Sequence, residues 1–217
     1  MIIKNPENTE YYSYVEGTIN GYKSFGDYGS VIIYNRDGDL NPVIHRAIVW
    51  LYYNDGKGTW SCPSLANYKG SWECSSGPDY TNLSGSLIFY DITKSCKTVK
   101  IDLNSITENN RKDGFLTMGD NPVTNTYFDQ TGIISHPIGK SDIRAIAVYE
   151  IPWMGVIKVY MTEGKRKYLD CVPNSINCLI MLFTMVFAII YCCDFYHSHK
   201  ETLARRREIE KIINGEE

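Results

Sequence analysis

The histidines are the residues of this sequence best suited to acid–base chemistry. His45 and His136 precede a long apolar segment near the C-terminus, whereas His197 and His199 follow it. Imidazole has an unperturbed pKa of about 6.5, so it can accept and return a proton near neutral pH. His45 lies in the apolar run PVIHRAI, a strand context in which a single histidine is usually structural. His136 lies in a Ser-His-Pro loop and is interpreted as a solvated surface residue.

A second motif favours a role for His45 in acid–base chemistry. The segment FLTMGDN, residues 115–121, predicts a strand that runs into a Gly-Asp-Asn turn. Asp120 lies in this turn, and Asp129 follows nine residues later. The sequence alone does not show whether either carboxylate lies beside His45 in space.

The cysteines do not predict a metal site. They show no CxxC spacing and no accompanying histidine cluster. Cys62, Cys74 and Cys96 share one stretch rich in Gly, Ser and Asn, so two of them could form a disulfide if that stretch faces an oxidising compartment. The sequence does not say which two, and free thiols are the alternative.

The composition predicts a mainly β protein. The chain has 217 residues with 17 Tyr, 7 Phe and 4 Trp, and this aromatic content, together with many Asn, Gly and Ser residues, is typical of strands and turns. A formal net charge of -3 gives no electrostatic reason to expect nucleic-acid binding. The length allows one domain with its own core and an appendage.

The elements that must position His45 are predicted strands on either side of a long insert. A turn-forming cluster at residues 35–39 separates the first two strands and predicts a hairpin. The insert, residues 54–113, is interpreted as a β excursion with strand-like pieces at 86–90 and 98–103. The predicted strands outside it are 29–34, 43–53, 115–118, 143–149 and 155–161.

Residues 172–193 predict a transmembrane helix. These 22 residues carry no charge, and a helix needs roughly 20 apolar residues to cross a bilayer. Five basic residues follow the span and three precede it at 165–167, which favours a cytoplasmic C-terminus and residues 1–170 outside the cell. The tail, 194–217, is predicted to be a short solvated helix. The opening residues show neither a signal peptide nor a second span, so the export of the domain is not explained by them.

The order of four motifs resembles that of the type I signal peptidases. They are GSVIIY, PVIHRAI, FLTMGDN with a later aspartate, and EIPWMGVI, and the resemblance covers residues 26–50 and 115–160. Histidine rather than lysine in the second motif is similar to the archaeal and endoplasmic-reticulum branch of the family. The resemblance implies a signal-peptidase-like β catalytic domain in the cell membrane, with the insert added to it.

The resemblance also implies roles for three residues. His45 matches the family's general base, Asp120 matches the aspartate of its GDN motif, and Asp129 is the best match for a second acid, with Asn125 as a rival position. The implied chemistry is acyl transfer, in which a serine hydroxyl attacks the scissile carbonyl, the histidine moves its proton, and an aspartate supports the imidazolium. No cofactor is needed.

The family's nucleophile is the one part without a match. Its serine lies in a Ser-Met-x-Pro motif, which is not found in these 217 residues, and Ser13, Ser24 and Ser30 lie outside any such motif. Met1-Ile2-Ile3 resembles the strand that follows this motif in the family. We therefore expect a start codon assigned too far downstream, a split or truncated gene, or a non-catalytic relative.

The sequence thus predicts a membrane-bound serine endopeptidase that removes signal peptides from exported proteins, with the nucleophilic serine outside this chain. The expected partners are the signal peptides of preproteins and the lipid bilayer, with partner subunits left open. The alternative is a non-catalytic relative or a single-pass cell-surface β protein that binds without cutting.

Overall fold

The computed structural model describes residues 2–36, 41–93, 96–121, 125–149, Gly155 and 175–214. The chain divides into two units, Met1–Glu150 and Ile151–Glu217. The first is mainly β, as the composition predicts, with three sheets. Its strands are β1 (Ile2–Lys4), β2 (Lys23–Ser24), β3 (Asp27–Tyr28), β4 (Val31–Asn35), β5 (Pro42–Asn54), β6 (Thr59–Ser61), β7 (Ser71–Cys74), β8 (Ser86–Ile92), β9 (Lys97–Asp102), β10 (Gly114–Met118) and β11 (Ile143–Tyr149).

The largest sheet has the order β1-β11-β4-β5-β10, and β6 pairs with the far end of β5. All of its pairs are antiparallel. The predicted hairpin is confirmed, because β4 and β5 pair directly with Ile32 opposite His45. The predicted strands 115–118 and 143–149 correspond to β10 and β11. Of the predicted strand 155–161, only Gly155 is described, and its backbone is helical; the rest lies outside the described residues.

Strand β5 holds the sheet together because of its length. Its 13 residues are rich in β-branched and aromatic side chains, and they are long enough to pair with β4, β10 and β6 in succession. The buried middle of the strand, from Arg46 to Val49, is continuous with the core on both faces. This strand therefore carries His45 into the centre of the sheet.

The insert forms its own antiparallel sheet of β7, β8 and β9, which confirms the predicted β excursion. Leu87 and Phe89 of β8 pack in one apolar cluster with Leu51 and Leu116 of the large sheet. A second cluster, which contains Ile32, Tyr34, Ala47 and Phe115, is formed by residues of β4, β5 and β10 with neighbouring loops and β11. Cys62, Cys74 and Cys96 are free thiols in this structure.

A short α-helix lies between strands β1 and β2 in the chain. Helix α1 (Tyr14–Asn20) begins with a capping box, in which Ser13 and Glu16 exchange hydrogen bonds. It packs closely on Gly29, where a Cβ would lie 2.5 Å from the backbone nitrogen of Tyr14. Short 3₁₀ turns lie at Pro6–Asn8, Pro63–Asn67, Leu103–Ser105, Glu108–Asn110, Asp129–Thr131 and Lys140–Asp142.

The second unit contains helix α2 (Ser175–Asn214), with 40 residues. Its segment Ile176–Arg207 is long and apolar enough to cross a membrane, with a mean hydropathy of 2.4 in its most apolar window. The predicted span begins at residue 172, outside the described residues, and its remainder lies in α2. The predicted tail helix continues α2 without a break, because residues 198–214 contain neither glycine nor proline.

Candidate active site

The candidate site lies where three neighbouring strands and one short turn meet. Strand β4 contributes Tyr34, β5 contributes His45, and β10 contributes Thr117. In an antiparallel pair, residues opposite each other point to the same face, and so do residues two apart along a strand. The register pairs Ile32 with His45 and Thr117 with Ala47, so the three side chains share one face. The 3₁₀ turn Asp129–Thr131 lies against them.

His45 and Asp129 form a close pair. The distance from His45 Nδ1 to Asp129 Oδ2 is 2.7 Å, and the two side chains are 16% and 1% exposed. An ionised carboxylate only accepts hydrogen bonds, so it requires a proton on Nδ1. In the neutral ring this leaves the lone pair on Nε2, which is the tautomer that a general base uses.

The other ring nitrogen of His45 faces Gly119. A Cβ on Gly119 would lie 2.8 Å from His45 Nε2 and would overlap the side-chain amide of Asn125. The side-chain amide of Asn125 and the Nε2 edge of His45 therefore occupy the space that a side chain at position 119 would need. The carbonyl oxygen of Asn125 accepts a hydrogen bond of 2.6 Å from Lys97 Nζ, so β9 of the insert fastens the loop that borders the site.

Asp120 contacts a different residue. Arg46 donates from Nε to Asp120 Oδ1 at 2.8 Å and from Nη2 to Asp120 Oδ2 at 2.5 Å. The Arg46 side chain is fully buried, and its Nη1 also donates to the carbonyl oxygens of Tyr28 and Gly29. The structure therefore brings Asp129 to His45 and Asp120 to Arg46. Asn125, the rival position for the second acid, lies on the Nε2 side of the ring.

The three N-terminal serines have local structural partners. Ser13 caps helix α1. The Ser24 hydroxyl donates to the carbonyl oxygen of Gly29 at 2.6 Å, and Ser30 Oγ accepts from the backbone N–H of Tyr12 at 3.1 Å.

His136 is less exposed than its loop context suggests. Its side chain is 14% exposed, and Nε2 lies 3.8 Å from Asp142 Oδ2. The turn Lys140–Asp142 brings this carboxylate beside the ring. The prediction of a solvated surface histidine is therefore wrong.

Three residues of the site were missed by the sequence analysis: Tyr34, Thr117 and Gln130. Burial, and then the negative charge of Asp129, raises the pKa of Tyr34 far above its ordinary value. Its hydroxyl is therefore protonated at any working pH. A tyrosine at the end of the apolar run VIIY is a usable signal, because a buried tyrosine hydroxyl normally has a hydrogen-bond partner.

Comparisons with known proteins give no relative from which a role could be transferred. No family model matches the chain, and neither a curated protein nor a solved structure matches it. Among the described residues, no group of three or more His, Cys, Asp or Glu side chains could hold a metal ion. The roles of His45, Asp120 and Asp129 therefore rest on the motifs and on the contacts above.

Proposed function

We propose that this protein is a membrane-anchored serine endopeptidase of the signal peptidase type, which removes signal peptides from exported proteins. The observation that carries the proposal is the 2.7 Å contact between His45 Nδ1 and the buried carboxylate of Asp129, which leaves the Nε2 edge of the ring on the side of Gly119 and Asn125. The nucleophilic serine must come from outside these 217 residues.

In this mechanism His45 is the general base. Its Nε2 takes the proton of the serine hydroxyl as the oxygen attacks the scissile carbonyl, and then returns it to the leaving amine. Asp129 holds the Nδ1 proton and offsets the charge of the imidazolium. Asp120 has a structural role, because its carboxylate forms an ion pair with Arg46.

The apolar helix α2 supports the choice of substrate. A signal peptide is presented at the membrane, so an enzyme anchored there by a C-terminal helix meets it at a high local concentration. The excess of basic residues after the apolar part of the helix favours a cytoplasmic C-terminus and an extracytoplasmic β unit.

The test uses the natural protein extracted from its own membrane and a preprotein with a cleavable signal peptide. We expect cleavage after a small residue, and we expect His45→Ala to lower the rate by about 10⁴- to 10⁶-fold, as loss of a triad member does. His136→Ala is the matched control, since this histidine pairs with Asp142 instead, and it should retain the wild-type rate.

Intact mass and N-terminal sequence of the same preparation test the source of the nucleophile. We expect a product heavier than 24.8 kDa that contains a Ser-Met-x-Pro motif. A product that begins at Met1, binds the preprotein and does not cut it would replace the proposal with the non-catalytic alternative.

A further inference from the structure

The Asp129 carboxylate has a second buried partner besides His45. Tyr34 donates its hydroxyl proton to Asp129 Oδ2 at 2.6 Å, the same oxygen that lies 2.7 Å from His45 Nδ1. Tyr34 is fully buried, and Asp129 is 1% exposed. Since water has little access, Tyr34 supplies stabilisation that solvent would give to a surface carboxylate.

The hydrogen bonds behind Tyr34 have a fixed direction. Because its only proton goes to Asp129, the 2.8 Å contact between the Tyr34 hydroxyl and Thr117 Oγ1 requires Thr117 to be the donor. The Thr117 oxygen can then accept from Gln130 Nε2, which lies 3.3 Å away. The order of donation is therefore Gln130 to Thr117 to Tyr34 to Asp129, and each step polarises the next.

A β-bulge makes this arrangement possible. The register between β10 and β5 shifts between Leu116 and Thr117. The backbone N–H of Thr117 donates to Gln130 Oε1 at 3.0 Å. Gln130 therefore hydrogen-bonds to both the backbone and the side chain of Thr117. These two contacts fix the orientation of the Gln130 amide group. Bulges re-aim side chains in this way.

We propose that Tyr34 is a positioning residue for the His45–Asp129 pair, and that Thr117 and Gln130 hold it in place. The inference deepens the proposed function and rests on it. Tyr34 holds Asp129 Oδ2 against His45 Nδ1, so that the neutral imidazole keeps its proton on Nδ1 and its lone pair on Nε2.

Tyr34→Phe tests this by removing one oxygen atom. In the wild-type full chain, ¹⁵N NMR of the His45 ring should show one neutral tautomer, with the proton on Nδ1 in slow exchange. In Tyr34→Phe we expect a mixture of tautomers and a faster-exchanging Nδ1 proton. In the natural protein, kcat should fall by about 10- to 100-fold with KM unchanged, the size expected for one hydrogen bond to a charged group.

Matched variants separate positioning from folding. Tyr68→Phe removes a partly buried tyrosine hydroxyl in the insert and should leave the His45 spectrum unchanged. Thr117→Val keeps the shape but loses the donor, so it should shift the tautomer ratio in the same direction as Tyr34→Phe. Thr117→Ser retains the hydroxyl and should restore the wild-type spectrum. If Tyr34→Phe does not fold, the comparison of Thr117→Val with Thr117→Ser still tests the proposal.

The outcomes distinguish this inference from the proposed function. A lower melting temperature with an unchanged His45 tautomer in both Tyr34→Phe and Thr117→Val would make Tyr34 merely structural and overturn the inference. A tautomer change in a natural protein that never cleaves a preprotein would sustain the positioning role and overturn the protease proposal.

Discussion

At the scale of single residues, Asp120 and Asp129 contact side chains on opposite faces of strand β5. His45 and Arg46 are adjacent in β5, so their side chains point to opposite faces. Asp129 is buried against the histidine, and Asp120 meets the arginine with 45% of its side chain exposed. Asp120 therefore supplies a carboxylate to the fully buried guanidinium of Arg46.

We expect Asp120→Ala to lower the free energy of unfolding by about 1–3 kcal/mol, because two hydrogen bonds to a buried cation are lost. Partial exposure of Asp120 lets water replace some of this interaction, which favours the lower end of the range. Urea denaturation measures the change, and Lys112→Ala, which removes a partly exposed surface pair with Asp142, is a control with a smaller expected effect. If Asp120→Asn instead lowers cleavage as much as Asp129→Asn at unchanged stability, Asp120 is catalytic.

His45 and both aspartates could be predicted from the sequence, but the side chain that each aspartate contacts could not. The assignment depends on the path of the chain between Asp120 and Asp129, and nothing in the local pattern fixes that path. Alternation in β5 does place His45 and Arg46 on opposite faces. Tyr34 was missed because its role requires the register that sets Ile32 opposite His45, which only the paired strands provide.

At the scale of elements, the strands could be predicted because their β-branched and aromatic runs end at turn-forming residues. The predicted segment 43–53 becomes β5 (Pro42–Asn54), and the pieces at 86–90 and 98–103 become β8 and β9. Strand β7 (Ser71–Cys74) was not predicted, because its short polar sequence SWEC carries little periodic signal. The packing of the insert on the large sheet involves residues distant in sequence, and local patterns do not encode it.

The core of the insert contains Cys62, whose thiol is fully buried. We expect this thiol to make the folded protein less stable at alkaline pH. Burial raises the pKa of Cys62 from 9.0 to about 11. Below pH 9 the thiol is neutral in both states and has no effect on the pH dependence. Between about pH 9 and 11 it ionises more readily in the unfolded chain, so stability should fall with rising pH, by about 2–3 kcal/mol in all.

Melting temperatures measured from pH 8 to 11 test this expectation. Cys62→Ala should be less stable at pH 8 because it leaves a cavity, yet its stability should fall less steeply above pH 9. Some slope should persist, since burial also raises the pKa values of Tyr34 and Tyr68. Cys96→Ala, at an exposed thiol, should keep the wild-type slope. An unchanged slope in Cys62→Ala would contradict the assignment.

At the scale of the whole molecule, the β unit and helix α2 differ in the exposure of their apolar side chains. The β unit buries its apolar side chains in two clusters. Helix α2 leaves large apolar side chains exposed along the same segment, including Met181, Phe187 and Ile190. Water does not stabilise such a surface, and only 6% of the most apolar window is buried within the molecule. Lipid is the environment that matches it.

We therefore expect the 217-residue chain to remain in the membrane pellet after alkaline carbonate extraction and to require detergent for release. A chain that ends after Pro173 lacks α2 and should move to the aqueous fraction. A chain that ends after Lys200 keeps the apolar segment but loses most of the basic tail, so it should stay in the pellet, because hydrophobic burial of about 20 residues outweighs the loss of a few interfacial charges. If the chain that ends after Pro173 also resists extraction, the β unit itself binds the membrane or a membrane protein, and α2 is not the sole anchor.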